Sequence, residues 1–429
     1  MPEPSRYPAS HHFEQTSPLP AYPVFSGNEY FDVCVIGGGY TGLSSALHLA
    51  ELGYRVALLE AKCVSWGASG RNGGQLGYGM APLQQDLIRR FGEEAAKHFW
   101  DISVAAVDLF HDLCGRHSIS CDFRPGNMAC AVTAADYAEL RQHAEIVAGY
   151  GENIYQLFDP AEAQKVTGSP VYQGAILAQK AGHINPLKYA LGLAQAAEKA
   201  GVRLFENSVV KHINFADSVT IDLEGGRMTA DYAVIACNGY LGALDKTLAK
   251  RILPIANYQM ATAPLDEVTL SSLLTRGMCV WDTSRSVHYF RLTPDQRLVM
   301  GGGISVPGYP PRQLEKDCRK HLAYVYPQLK DVALDFIWGG TVAGTRNQLP
   351  DVGRLSPNVF YAQGYTGHGV ALAPLMGKYI AAAIQGESAE FDFMAAVKHK
   401  PLFGGRLLRV PAVLAYRFLT NTLDQVFRF

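Results

Sequence analysis

Three glycines, Gly37, Gly39 and Gly42, sit in the stretch FDVCVIGGGYTGLSSALHLAELGYRVALLEA at residues 31–61, spaced to turn a chain sharply beside a charged ligand. Gly37 permits the turn, Gly39 lets the backbone approach a pyrophosphate, and Gly42 lets the following helix lie close on the preceding strand. The pyrophosphate charge would meet the free N–H groups of a helix N-terminus. Gly38, Tyr40 and Thr41 complete this turn. Glu60, followed by Ala61, ends the next apolar run, where a carboxylate accepts hydrogen bonds from ribose hydroxyls. An acid at that place disfavours a 2′-phosphate and hence NADP. The alternative is a glycine turn that only joins packed elements.

Two further glycine-rich segments stand out. GASGRNGGQ, residues 67–75, is too polar for a core, so its backbone and Ser69, Gly70, Arg71, Asn72, Gly73, Gly74 and Gln75 are expected to hold a cofactor reaching past the pyrophosphate. A flexible surface loop is the other reading. GYTGHG, comprising Gly364, Tyr365, Thr366, Gly367, His368 and Gly369, follows an apolar run and opens a helical pattern.

These residues need elements to position them. The pattern predicts a strand over 31–36, a helix over 41–52 and a strand over 55–60, together a β-α-β unit. A helix is expected from Ala134 and another with Pro186 in its first turn. VTIDLEGGRMTADYAVIACNGY reads as a hairpin leading into a buried strand, and SVHYFRLTPDQRLVMGGG as a hairpin turning at residues 294–296. Residues 1–27 carry six prolines, which predicts an extended arm without regular structure whose aromatics lie on the body. Strand, glycine turn and helix at both ends of the chain imply a discontinuous domain.

A chain of 429 residues exceeds one usual core, so two packed domains are expected. A net charge of −1 removes the global electrostatic case for nucleic acid. Eight cysteines without a CxxC pair or Cys/His spacing imply neither zinc nor a disulfide framework, and suggest reduced thiols in a cytoplasmic protein. We find neither a signal-peptide pattern nor an apolar run of the roughly 18–20 residues that span a bilayer.

DVCVIGGGYTGLSSALHLAELGY, GASGRNGGQ and GYTGHGVALAP together resemble the motifs of the D-amino-acid-oxidase superfamily of FAD-dependent amine oxidoreductases, and within it the bacterial gamma-glutamylputrescine oxidase group. The likeness continues through GHINPLKYALGLA, YFRLTPDQRLVMGGG, WGGTVAGTRNQLPDVGRL and FGGRLLRVP. It implies an α/β plus α+β fold: a Rossmann-like, DAO-type FAD-binding domain from residues 28–79, 184–249 and 339–386, and an antiparallel-sheet substrate domain from 80–183 and 250–338. The arm at 1–27 and a segment at 387–429 complete the chain.

By the same resemblance, residues 37–41 meet the pyrophosphate, Glu60 the ribose, residues 69–75 the ribityl chain and ring, and the Val210 backbone the adenine. Cys237 and Asn238 end a strand near the cofactor, and residues 364–369 approach the flavin pyrimidine edge. His368 either orients that turn or is a packing histidine. No cysteine follows Cys318 and no histidine lies between His48 and His98, which favours noncovalent FAD. Val370 and Ala371 stand where amino-acid-type relatives place a carboxylate-gripping lysine, which disfavours a free α-amino acid. Val299 stands where some oxidases use a lysine to promote reaction with oxygen.

The implied reaction is hydride transfer from an amine carbon to flavin N5, giving an imine and then an aldehyde, with O2 reduced to H2O2. The expected pocket residues are His288, Tyr289, Trp338 and His368. Strand alternation lets only one of His288 and Tyr289 face the flavin, and Tyr289 is preferred. Arg291 shares its face and would pair with a remote substrate carboxylate, unless it is a solvated surface arginine. The alternatives are a dehydrogenase serving a quinone or carrier, and a flavin-binding module without turnover. In the first, a tail bearing Lys400, Arg406, Arg409 and Arg417 would lie on a membrane or pack on its own protein.

Overall fold

The apolar run before the first glycines forms the strand Gly27–Ile36, whose last four residues are all buried, as a central parallel strand requires. The computed structural model describes residues 7–402 apart from 18, 217 and 309. Gly27–Ile36 pairs in parallel with Gly226–Ile235 on one side and Val56–Leu59 on the other. The sheet runs Asp351–Ser356, Val359–Gln363, Gly226–Ile235, Gly27–Ile36, Val56–Leu59, Arg203–Phe205, with the hairpin Val210–Phe215 and Val219–Leu223 attached to Gly226–Ile235. Distant parts of the chain therefore build one sheet. The helix Tyr40–Glu51 packs against Pro186–Lys199 and Gly369–Gln385, and Glu93–Arg116 against the latter. Leu43, Leu47, Phe99, Val107, Leu187 and Met376 share their core.

The second sheet has nine strands, ordered Leu334–Thr345, Ile252–Thr262, Leu298–Ser305, Tyr289–Leu292, Cys279–Asp282, Arg124–Cys130, Ala175–His183, Gln75–Leu76, with Tyr155–Phe158 also on Ala175–His183. It is antiparallel except where Cys279–Asp282 meets Arg124–Cys130. Phe290 and Met300 on one face join Leu322 and Tyr326 of the helix Leu314–Val325 and its C-terminal end in a second core. Cross-strand partners share a face, so Gln259, Gly301 and Tyr289 line the other side, toward residues 67–75. A mixed α/β layer beside an α+β layer is the fold class expected from the sequence.

The boundaries differ in three places. The strand Leu334–Thr345 crosses the division expected at 338/339, because it pairs with Ile252–Thr262 on both sides of it, with one bulge at Asp335. Gln75–Leu76 pairs with His183 and Gly182 and so joins the second sheet. Glu93–Arg116, placed by sequence with the substrate domain, contributes its apolar face to the first core. The arm is not wholly irregular either. One helical turn, His11–Glu14, forms between Pro8 and the next proline, and the Ser10 hydroxyl caps it by accepting the Phe13 N–H at 3.2 Å. Tyr7 and Phe25 are buried, as expected of its aromatics. The tail residues Arg406, Arg409 and Arg417 lie outside the described residues. Among the described residues no helix is long and apolar enough to cross a membrane.

His143, on the helix Ala134–Gly149, packs its ring beside Trp100 and Tyr155. Its Nδ1 accepts the Gln84 N–H at 3.2 Å, so Nε2 carries the hydrogen and faces the Tyr155 hydroxyl at 3.2 Å. Burial pushes its pKa down to about 4. In the unfolded chain a histidine titrates near ~6.5. Between these values the unfolded state binds a proton that the folded state refuses, so stability falls as pH drops through this window. We expect His143→Gln to lose less stability than the parent between pH 6.5 and 4, measured from urea midpoints; equal slopes would assign the acid sensitivity elsewhere.

Candidate functional site

The first glycine turn joins Gly27–Ile36 to the helix Tyr40–Glu51, which begins at Gly39 without a side-chain cap. Gly37 has φ of 111°, and a Cβ there would lie 2.7 Å from the Ala236 carbonyl oxygen. A Cβ on Gly42 would fall 1.9 Å from the Gly37 carbonyl oxygen, so helix and turn touch backbone to backbone. Glu60 follows Val56–Leu59. Its Oε2 accepts the Gly38 N–H at 2.8 Å and its Oε1 the Lys62 N–H at 2.9 Å. Burial raises its pKa while these N–H groups oppose the rise. Each oxygen keeps a lone pair for a further donor, which suits a ribose diol. Ala61 is exposed beside it. Val210 opens its strand two residues after Ser208, whose N–H meets the Glu60 carbonyl at 2.9 Å.

Residues 67–75 form a tight loop rather than a flexible one. Ser69 Oγ accepts the Tyr40 N–H at 2.9 Å, joining the loop to the first turn, and the Asn72 amide bonds the Ala68 and Ser69 carbonyls. Gly70 is buried at the end of a short 3-10 turn, Ala68–Gly70. The Gly74 N–H meets Asn72 Oδ1 at 2.8 Å, and Gln75 donates to the Val280 carbonyl at 2.7 Å. Arg71 stacks its guanidinium 3.9 Å from the Trp66 ring and bonds the Trp66 and Gly339 carbonyls. Second-sheet side chains hold the loop: Gln259 and Trp338 donate to the Arg71 carbonyl at 2.6 and 3.0 Å, and Arg291 to the Gly73 carbonyl at 2.9 Å.

Tyr289 lies across Gly301 and against Gly73. A Cβ on Gly301 would come within 2.0 Å of the ring, and one on Gly73 within 2.7 Å. Its hydroxyl donates to Asn257 Oδ1, and burial pushes its pKa up, so it stays protonated. His288 points to the opposite face. Its Nδ1 lies 2.8 Å from Asp282 Oδ2 and its Nε2 3.0 Å from His321 Nδ1 on the helix Leu314–Val325. Strand alternation and the demand of a fully buried Asp282 for donors place it there, away from residues 67–75, so it does not join the expected pocket residues. Arg291 is buried, which excludes a solvated surface arginine, and burial lowers its pKa to about 10.

The third turn closes the ring of loops. Gly364 donates to Asn238 Oδ1 at 2.9 Å, Thr366 to the Ala343 carbonyl at 3.1 Å, and the Tyr365 hydroxyl lies 2.6 Å from Thr41 Oγ1. His368 precedes the helix Gly369–Gln385, with Nδ1 3.3 Å from the Thr366 carbonyl, and burial lowers its pKa. Gly367 is exposed at the tip. Burial pushes the Cys237 thiol up to about 12, which makes it a small apolar group rather than a nucleophile. Sequence reasoning missed Trp66, Tyr240, Asn257, Gln259 and His12. Asn257 and Gln259 alternate on a strand with an apolar end, a signal that was available. Tyr240, whose hydroxyl accepts the Thr341 N–H at 2.9 Å, offered none.

These residues fit FAD. Arg71 Nη2 and Gln259 Oε1 are buried without protein partners, beside the loop expected to hold the ring, and the helix N-terminus after Gly39, where Ser69 Oγ meets the Tyr40 N–H, suits a pyrophosphate. Two outcomes follow. Glu60→Ala is expected to weaken FAD binding at least about tenfold, measured by fluorescence titration of the apoprotein; unchanged affinity would remove the ribose contact. Gly301→Ala should displace the Tyr289 ring and shift the bound-flavin absorbance with FAD still retained; a parental spectrum would separate Tyr289 from the cofactor.

Residues 32–383 match the DAO family, FAD dependent oxidoreductase. The chain is 38% identical over 381 residues to gamma-glutamylputrescine oxidoreductase of Escherichia coli (strain K12), covering 89% of each. Its fold is similar to the crystal structure of glycine oxidase from Geobacillus kaustophilus, with a TM-score of 0.72 at 21% identity over 86% of this chain and 99% of that one. L-proline dehydrogenase from P. horikoshii gives a TM-score of 0.70 at 21% identity, covering 86% and 96% respectively. With three glycine turns meeting around Thr41, Asn238 and Ser69, and with that match spanning most of its length, the chain belongs to the DAO family and is an FAD-dependent oxidoreductase.

Proposed function

We propose that the chain oxidises an amine of the gamma-glutamylated polyamine type at a CH–NH or CH–NH2 carbon. The observation that carries this reading is the 38% identity with gamma-glutamylputrescine oxidoreductase across 89% of both chains. Noncovalently bound FAD supplies the two-electron acceptor for hydride from the amine carbon. The imine released is hydrolysed by water to an aldehyde and ammonia or a smaller amine. A cytoplasmic location belongs to the same reading, supported by eight cysteines without bridge or ligand spacing.

The residues around the loop serve this chemistry by position and exclusion of water. An aqueous alkylamine has a pKa near ~10 and must lose its proton before its lone pair can assist hydride departure. Tyr289, backed by the loop that Trp338 holds in place, offers an aromatic surface that strips hydration and favours the neutral amine, a shift that reaches ~3–5 units for a fully buried group. The Tyr289 hydroxyl, its hydrogen given to Asn257, accepts an amine N–H through its lone pairs. His368, held neutral by burial, orients the third turn. Arg291 uses Nε on Gly73 and has its remaining N–H groups for a substrate carboxylate. Val370 and Ala371, both buried, bring no cation to the reacting end.

Oxygen as acceptor, with H2O2 as product, completes the leading reading. A dehydrogenase serving a quinone or carrier is the second, favoured by the apolar Val299 opposite Arg291. Anaerobic mixing with gamma-glutamylputrescine, putrescine, sarcosine and glycine tests the substrate. Rapid bleaching of the flavin is expected with the first and at least about tenfold slower bleaching with the α-amino acids. Bleaching by dithionite but by no amine sinks the proposal, and peroxide formed under air separates oxidase from dehydrogenase.

A further inference from the structure

We infer that His12, in the N-terminal arm, is a positioning residue for the cofactor: it holds the Asn72–Gly73 peptide so that the Gly73 N–H faces the flavin. The inference rests on the reading that residues 69–75 line the flavin.

Each of three successive carbonyls of the loop meets a donor from outside it. Those of Arg71 and Gly73 meet donors from the second sheet: Gln259 and Trp338 on the first, Arg291 on the other. The carbonyl between them, on Asn72, takes its hydrogen bond from His12 Nε2 at 2.8 Å, a donor supplied by the arm. A trans peptide is planar, with its C=O and N–H pointing in opposite directions. Pinning these carbonyls therefore aims the N–H groups of Asn72, Gly73 and Gly74 away from their respective donors. Two of the three are consumed locally, the Asn72 N–H by the Ala68 carbonyl at 3.1 Å and the Gly74 N–H by Asn72 Oδ1 at 2.8 Å. Among the described residues no acceptor meets the Gly73 N–H. The peptide that His12 grips is thus the one whose other end is left to bind a ligand. It contains glycine, which resists rotation of that peptide least, so an external grip is what fixes its direction.

The arm is built to deliver this contact. His12 is fully buried, and its ring stands edge-on to Trp338 with centroids 5.0 Å apart. Burial keeps it neutral, its Nδ1 meets no partner, and the single N–H is committed to Asn72. A lone helical turn does not persist by itself in water. This one is tied to the second sheet by His11, whose Nε2 lies 3.0 Å from Asp295 Oδ1 and whose ring meets Phe336 at 5.8 Å. It is tied to the first layer on either side by Tyr7, donating to the Val64 carbonyl at 2.8 Å, and by Phe25, whose N–H meets Ser208 Oγ at 2.9 Å.

The test compares His12→Phe, which keeps a ring against Trp338 but has no donor, with His12→Gln, whose amide N–H falls close to the place of Nε2. Amide hydrogen exchange of residues 70–75 in the holoenzyme is read beside the FAD dissociation constant. We expect His12→Phe to speed loop exchange about tenfold and weaken FAD about tenfold, His12→Gln to stay within about twofold of the parent, and exchange in the helix Ala134–Gly149 to be unmoved in both. His12→Asn, whose amide is too short to reach, should match His12→Phe and stands in for it if the apolar ring does not fold. Parental loop exchange in His12→Phe, or a His12→Gln as impaired as His12→Phe, overturns the inference and leaves the cofactor reading intact. Faster loop exchange with parental FAD affinity would instead overturn the assignment of residues 69–75 to the cofactor, and the inference with it.

Discussion

A main-chain carbonyl removed from water must find a donor, and the Arg71–Gly73 segment has three such groups in succession. The donors come from the second sheet and from the arm, while the segment itself is fastened to the first layer through Ser69 and Tyr40. The loop is therefore the joint at which two layers with separate cores become one object. This need accounts for Gln259, Arg291 and the indole N–H of Trp338 on that sheet face. Without the loop, each would be a buried polar group lacking a partner, which is costly.

The charges around the site follow the same economy of burial. Glu60 is the acid at the nucleotide end, and backbone N–H groups rather than a lysine or arginine face it. Around the loop and the third turn burial keeps His12 and His368 neutral, and beside Gly37 it keeps Cys237 a thiol. Arg71 and Arg291 are cations set into this surface, and burial weakens even their hold on a proton. A site with few mobile charges suits a reaction in which a neutral amine surrenders hydride. The Asp282–His288–His321 chain, by contrast, belongs to the far face of the sheet and braces it against the helix Leu314–Val325.

Local grammar made much of this legible. The glycine turns, the acid after Val56–Leu59, the helix after Thr133 and the hairpin around Gln296 are each specified within a dozen residues. What escaped was decided by contacts between distant positions. Nothing near Tyr240 announces that it will accept an N–H from Thr341, and nothing near His12 announces Asn72. The one-turn helix in the arm was hidden by the surrounding prolines, although Ser10 ahead of two histidines is a cap signal. The boundary at 338/339 falls inside a strand for a related reason: WGGTVAGT pairs with the distant Ile252–Gln259 and so continues the second sheet. Alternation correctly separated His288 from Tyr289, and the far-side partners of His288 lie up to 33 residues away.

The strand Leu334–Thr345 has twelve residues and so runs about 40 Å. Along that length it is stitched to the second sheet, while its Gly339, Ala343 and Gly344 also meet Arg71, Thr366 and Tyr365 of the first layer. A beam fastened to both halves ties their movements together. Any movement of one half against the other would then have to break these main-chain contacts, so widening of the reaction chamber carries a cost that a free linker would not impose.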